Sequence, residues 1–337
     1  MTLKNPLDMH LHLRDYSMLE LVAPFSAQDF RAAVIMPNLI PPITSQEGLK
    51  EYKKRILKAC EKEGQNANFT PLMTLFFQNY DEKFLEKIKK EIFAIKLYPA
   101  GITTNSNGGV SSFDLKSLEP TLKAMSELKI PLLIHGETND FVLDREAKFA
   151  PIYEKLAKHF PKLKIVMEHI TTKTLCALLK DYENLYATAT LHHLILTLDD
   201  VLGGKMQPHL FCKPIAKRES DKEALCELAF SGFSKLMFGS DSAPHPKSEK
   251  ECCGCAAGIF SAPVALSVLA NLFSKNSSEQ NLQKFISDNA CALYDFKFEK
   301  EKIIVLEKKE WQVPQNYGEV VPFMAGNTLE YSVKDSK

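Results

Sequence analysis

The sequence predicts an α/β fold, a closed (β/α)8 TIM barrel, and three observations carry that expectation. Eight short β-rich apolar runs recur along the 337 residues, each followed by a longer stretch of helical character. Strands alternating with helices imply parallel crossover units, and eight such units in roughly 250–300 residues suit a closed barrel better than an open sheet. An open doubly wound sheet would carry a glycine-rich phosphate turn after its first strand, where this chain has "HLHLRDYSM".

The first run, "NPLDMHLHL", alternates: Asp8, His10, His12 and Arg14 share one face of an extended strand, and Met9, Leu11 and Leu13 take the other. The second, "RAAVIM", leads into a helix. Thr44 with Glu47 fits a capping box there, Leu49, Tyr52, Ile56, Leu57 and Cys60 follow at helical spacing, and Gly64 supplies a stop. "TPLMTLFF", "IFAIKLY", "IPLLIHG", "LKIVMEH", "NLYATAT" and "KLMFGS" complete the set. Residues 191–234 exceed what one helix needs, so an insertion is expected between the last two strands. The expected domains are a barrel over 1–300 and an appendage over 301–337 packed on it, where "EKIIVLEKKEWQV" and "EVVPFMAGNTLEYSV" lean towards β structure.

Forty-two basic residues balance 42 acidic ones, so no global field favours nucleic acid or an anionic membrane, and the partner is expected to be a small molecule. No apolar run approaches the ~20 residues of a membrane span, and the start "MTLKNPLDMH" lacks a signal-peptide core; a cytoplasmic protein is expected. Eight cysteines, mostly scattered singly, read as reduced thiols. "ECCGCAAG" resembles half of a zinc knuckle, but no second cluster completes it, so Cys252, Cys253 and Cys255 are read as packing residues.

Polar residues gather at the C-terminal ends of the predicted strands: His10 and His12 on the first, Lys96 on the fourth, His135 on the fifth, His169 on the sixth and Asp241 on the eighth. Each alone has a bland reading. A His-x-His pair is commonly an exposed strand face, a lone histidine a core residue bonded to backbone, Lys96 a stem reaching solvent, and the Asp of "GSDSAPH" a turn residue. Together they surround one mouth, where such barrels place their active sites, and the polar face of "HLHLR" is then expected to look inward at metal.

"DMHLHLRD", "MPNL", "IKLYPAG", "LLIHGE", "MEHITT" and "GSDSAPH", in this order and spacing, resemble the amidohydrolase superfamily and, within it, the dihydroorotases of the shorter stand-alone bacterial type. The resemblance runs to about residue 323. It implies two zinc ions, one held by His10, His12 and Asp241, the other by His135 and His169, bridged by an N6-carboxylated Lys96 and a hydroxide. It implies hydrolysis of a cyclic ureide, or in the biosynthetic direction closure of N-carbamoyl-L-aspartate to L-dihydroorotate plus water in pyrimidine (UMP) synthesis, with Asp241 as general acid and base. The amine of Lys96 must be neutral to take up CO2, which burial favours.

The resemblance also implies a substrate shell of His12, Arg14, Asn38, His135 and His245, with backbone at Leu210 and at Ala257 or its neighbour Ala256. Arg14 brings a fork suited to a carboxylate. "AGITTNSNGGVSS", a surface loop by composition, becomes a lid carrying Thr103 and Thr104. His159, His192, His193 and His209 match no ligand position and are read as structural. Family members are commonly homodimers. The competing readings are a hydantoinase or allantoinase, which would keep the metal ligands without needing Arg14 and Asn38, a non-catalytic partner protein, and a closed structural zinc protein.

Overall fold

The computed structural model describes residues 1–61 and 68–334. After a short strand β1 (Thr2–Lys4) come eight parallel strands whose spatial order is their chain order: β2 (Leu7–Leu11), β3 (Ala32–Ile35), β4 (Thr70–Phe76), β5 (Ala94–Leu97), β6 (Leu132–Ile134), β7 (Ile165–Met167), β8 (Leu185–Ala189) and β9 (Leu236–Phe238). All eight predicted runs are these strands. The ring closes just beyond β2 and β9. Leu11 bridges Ser242 in parallel, Asp241 N donates to the His10 carbonyl at 2.8 Å, and His12 N donates to the Ser242 carbonyl at 3.1 Å.

The helices α1 (Tyr16–Asp29), α2 (Gln46–Glu61), α3 (Glu82–Ile88), α4 (Leu115–Glu127), α5 (Ala150–His159) and α6 (Lys173–Asp181) each follow a strand. The expected insertion is present. Between β8 and β9 lie 3-10 turns at His192–Leu194 and Pro208–Leu210 and a short α7 (Leu198–Leu202), before the crossover helix α8 (Glu219–Ser231). After β9 come α9 (Lys247–Lys250) and α10 (Ala265–Lys275). Strand residues such as Ala33, Ile35, Ile95, Leu97, Leu132 and Ile134 pack outward with the helices into the large core. Val34, Ala94, Leu133, Val166 and Met237 alternate with them and fill the ring.

Two local expectations are corrected. The cap of α2 is Ser45, not Thr44: its Oγ accepts from Gly48 N at 3.1 Å, so no Thr44–Glu47 capping box forms, and Leu57 is exposed at the helix surface. The predicted stop at Gly64 lies outside the described residues. Strict alternation along the first strand also fails. Leu7 and Met9 belong to the cluster inside the ring, whereas Leu11 and Leu13 belong to the outer core, because the pairing with β3 shifts register between Asp8 and Leu11. Asp8 therefore does not share a face with the histidines. Its carboxylate accepts from His10 N at 3.1 Å and Ser240 N at 2.7 Å and ties β2 to the end of β9.

The C-terminal segment folds as β10 (Ile303–Glu307), β11 (Trp311–Gln312), β12 (Thr328–Leu329) and β13 (Ser332–Val333). β10 runs antiparallel to both β13 and β1, with Leu3 opposite Ile304. The small sheet thus borrows the first residues of the chain, which carry a single buried side chain, Leu3, too little pattern to read as a strand.

Candidate active site

The strand ends of the barrel converge on a narrow cavity lined by His10, His12, Arg14, Asn38, Tyr98, Thr103, Thr104, His135, His169, Lys213, Asp241 and the chain at Ala243, Ala257 and Gly258. Five of the six predicted ligand positions line it, and the sixth, Lys96, is fully buried beside Glu168 and Tyr98.

The imidazoles are oriented from behind by carboxylates that the ligand reading did not use. Glu168 contacts His10 Nδ1, and Glu137 Oε2 accepts from His135 Nε2 at 2.8 Å. Each carboxylate fixes its histidine's proton on the far nitrogen and turns a lone pair inward. His10 Nε2 accordingly lies 3.3 Å from His12 Nε2 and 3.5 Å from Asp241 Oδ1, with His12 Nε2 3.2 Å from the same oxygen. His135 Nδ1 lies 3.1 Å from His169 Nε2. At such distances each pair of ring nitrogens can share one proton or, once that proton is displaced, offer both lone pairs to a cation. His10, His169 and Asp241 also bring ligand atoms within 4.8 Å of one another. The donor set fits divalent metal ions.

Lys96 Nζ has no hydrogen-bond partner, lying 3.9 Å from Glu168 Oε2 and 5.1 Å from the centre of the Tyr98 ring. Burial lowers its pKa to about 8, against the opposing pull of Glu168 and Asp241, so a neutral fraction exists near neutrality. Burial likewise pushes His12 and His169 well below the usual imidazole range, aided by Arg14 for the first and by His135 for the second. Neutral imidazole is the metal-binding form. Glu168, which burial alone would raise, is held below the usual carboxylate range by Lys96 and His10. Burial raises Asp241, with His10 opposing.

Above the histidines, Arg14 Nε donates to the Pro244 carbonyl at 3.0 Å and Nη2 donates to His245 Nε2 at 2.8 Å, while its own carbonyl accepts from Tyr52 Oη at 2.7 Å. Three of its five N–H donors remain for a ligand. Asn38 Nδ2 donates to the Thr104 carbonyl at 3.0 Å, linking the end of β3 to the loop that carries Thr103 and Thr104. Thr103 and Thr104 line the cavity, so the loop lies over the mouth. Ala257, not Ala256, lines the inner cavity; Ala256 faces an outer pocket shared with Arg14 and His245. Leu210 does not line the inner cavity; it ends the 3-10 turn next to Phe211, whose carbonyl accepts from Gly258 N at 2.9 Å.

Backbone strain concentrates at this mouth. Arg14 (φ 56°), His169 (φ 40°) and Asp241 (φ 43°) occupy the left-handed region that non-glycine residues avoid, a cost tolerated where surrounding structure over-determines the position. Gly239 allows β9 to approach β2, since a Cβ there would meet His10 Cβ at 2.8 Å and Thr188 Cβ at 3.0 Å.

Four further residues serve the site without having been singled out. Glu137 and Glu168 sit inside "HGE" and "MEH"; for Glu137 the two-residue offset from His135 was a usable signal. Lys213 lines the cavity and donates from Nζ to the Ile102 carbonyl at 2.9 Å, pinning the lid. Lys250 donates to the carbonyls of Phe211 (3.0 Å), Ala256 (2.8 Å) and Gly258 (2.8 Å), clamping the segments at 211 and 256–258 together. No spacing in the sequence announces either lysine.

The amidohydrolase family model matches residues 44–296. A dihydroorotase of Helicobacter hepaticus is 43% identical over 99% of this chain and 97% of its own length. The chain belongs to the dihydroorotases of the amidohydrolase family. Among solved structures, a dihydroorotase from Campylobacter jejuni superposes with a TM-score of 0.95 at 73% identity, covering 99% of this chain and 97% of that one. A Saccharomyces cerevisiae dihydroorotase in complex with 5-fluoroorotic acid gives 0.91 at 36% identity, covering 99% and 98%. The family is metal-dependent, in keeping with the cluster at the barrel mouth. Among the described residues no helix is long and apolar enough to cross a membrane.

Proposed function

We propose that this mouth interconverts N-carbamoyl-L-aspartate and L-dihydroorotate plus water, the ring-forming step of pyrimidine synthesis, with two zinc ions held by His10, His12, Lys96, His135, His169 and Asp241. The observation that carries the reading is the pairing of inward ring nitrogens, His10 with His12 and His135 with His169, beneath the spare donors of Arg14. In this reading Lys96 is carboxylated: its buried neutral amine takes up CO2, loses a proton and becomes an anionic oxygen donor. The bound ions supply Lewis acidity and a water that ionises near neutrality.

The chain's own groups do the rest. Arg14, with Asn38 and His245, holds the carboxylate that survives ring opening and so sets which carbonyl lies over the histidines. Asp241 accepts the proton of the attacking water during hydrolysis and passes it to the leaving ring nitrogen; in ring closure the transfers reverse. Thr103 and Thr104 close over the bound ring, with Lys213 holding the lid base through Ile102. A hydantoinase would have no use for a guanidinium aimed at a carboxylate.

The test is metal analysis of the purified protein with turnover of a panel of dihydroorotate, hydantoin, dihydrouracil and allantoin. Two zinc per chain and selectivity for dihydroorotate are expected; preference for an uncharged ring would overturn the assignment. The same reading carries a cytoplasmic homodimer, checked by sedimentation velocity and cell fractionation.

A further inference from the structure

Of the four histidines outside both the metal ligands and the substrate shell, three have partners. His159 Nε2 lies 3.6 Å from Glu119, His209 Nε2 lies 2.9 Å from Glu251, and His193 is bonded on both ring nitrogens, to Thr190 Oγ1 at 2.9 Å and to the Pro214 carbonyl at 2.9 Å. His192 is different. It is wholly buried, and neither ring nitrogen has a hydrogen-bond partner. An imidazole removed from water without a partner on either nitrogen is costly, and such a group calls for a ligand.

His192, His193 and Cys212 bring one ligand atom each within 4.8 Å of one another, and all three are buried. Cys212 Sγ stands 3.5 Å from His193 Nε2. Two donors on one tetrahedral zinc, sulfur at about 2.3 Å and nitrogen at about 2.0 Å, are separated by about 3.5 Å. The Pro214 carbonyl oxygen lies 3.3 Å from Cys212 Sγ and 2.9 Å from His193 Nε2, near enough to both to serve as a further donor once their protons have left. Thr190 Oγ1 accepts the backbone N–H of His193 at 3.1 Å and also faces its Nδ1, so it can hold the Nδ1–H tautomer and free Nε2 as a ligand.

We infer that His192, His193 and Cys212, with the Pro214 carbonyl, form an additional zinc site whose ligands are disjoint from those at the barrel mouth. Binding replaces the Cys212 S–H bond by a sulfur–metal bond and releases that proton to solvent. The ion staples the turn after β8 to residues 212–214. That segment adjoins Leu210 and Phe211 and carries Lys213, the anchor of the lid. The site is structural, and the inference stands whichever cyclic amide the enzyme opens.

Cobalt substitution tests it, because no ligand at the barrel mouth is sulfur and only a thiolate gives sulfur-to-cobalt charge-transfer absorption in the near ultraviolet. The full chain with Cys252→Ser, Cys253→Ser and Cys255→Ser, which removes the exposed and half-buried thiols of that cluster, is titrated with Co2+. Three equivalents and the charge-transfer band are expected. Adding Cys212→Ser should abolish the band and one equivalent while two remain. His192→Gln should weaken that equivalent at least about tenfold and keep the other two, and those two retained ions show that either variant has folded. Saturation at two equivalents without a band, or a band that survives Cys212→Ser, overturns the site.

Discussion

Replacing Arg14 with lysine keeps the charge and removes the fork. In the structure two of the five guanidinium N–H groups are spent on Pro244 and His245, which hold the plane of the fork steady, and Nη1 with the second Nη2 hydrogen remain for a ligand, in the proposed function the substrate carboxylate. Lysine at this position offers a single ammonium in place of the two-nitrogen fork, so one of the paired bonds goes, and both supports go with it. At about 1.5–3 kcal/mol for a hydrogen bond to a charged group, the lost bond plus the lost orientation costs about 3 kcal/mol. That is about a hundredfold in kcat/KM. The backbone stays in place, since the Tyr52 hydroxyl still bonds the residue-14 carbonyl, so metal content should not change. Steady-state kinetics on dihydroorotate, with metal analysis of the same preparation, decides the matter. A kcat/KM within about threefold of wild type with the metals retained refutes the assignment of Arg14 to the carboxylate.

Asp241→Asn should lower kcat by about a thousandfold while changing the affinity for an unreactive substrate analogue far less, as expected when a proton carrier is lost; comparable losses in both would make Asp241 a binding group only. Lys250→Met strands the carbonyls of Ala256 and Gly258, and a thermal melt should show a loss of about 2 kcal/mol with a raised KM. Asp29 is buried, and burial raises its carboxyl to about 7, with Lys302 opposing. The folded state therefore binds a proton that the unfolded state releases from about pH 4 upward, and the stability this proton contributes is lost as pH rises towards 7. Asp29→Asn removes that loss, so between pH 5 and pH 8 the variant should gain about 2 kcal/mol on the wild type in denaturant melts; parallel curves would show that Asp29 ionises normally.

The eight strands and the histidines that meet at the barrel mouth were legible because each is a local pattern: a β-rich apolar run, and a polar residue where that run ends. Patterns that depend on partners elsewhere in the chain were not. The alternation of "LDMHLHL" predicted Asp8 beside His10 and His12, but the register shift against β3 sends Leu7 and Met9 into the ring and Asp8 to Ser240. The choice between Thr44 and Ser45 as cap turned on where α2 begins, a matter of one residue that packing decides. Lys213 and Lys250 look like surface lysines until the lid and the 256–258 segment present them with carbonyls.

The order of residues along the chain determined by itself that a parallel barrel would form and which chemical groups would arrive at its C-terminal mouth, because strand period and strand end are both short-range properties. Tertiary structure alone decided how those groups point. Glu137 and Glu168 select the tautomers of His135 and His10, closure between His10 and Asp241 sets the left-handed backbone that aims the carboxylate inward, and His192 ends up beside Cys212. Each of these is a contact between residues distant in sequence, whose energy exists only once the barrel has closed.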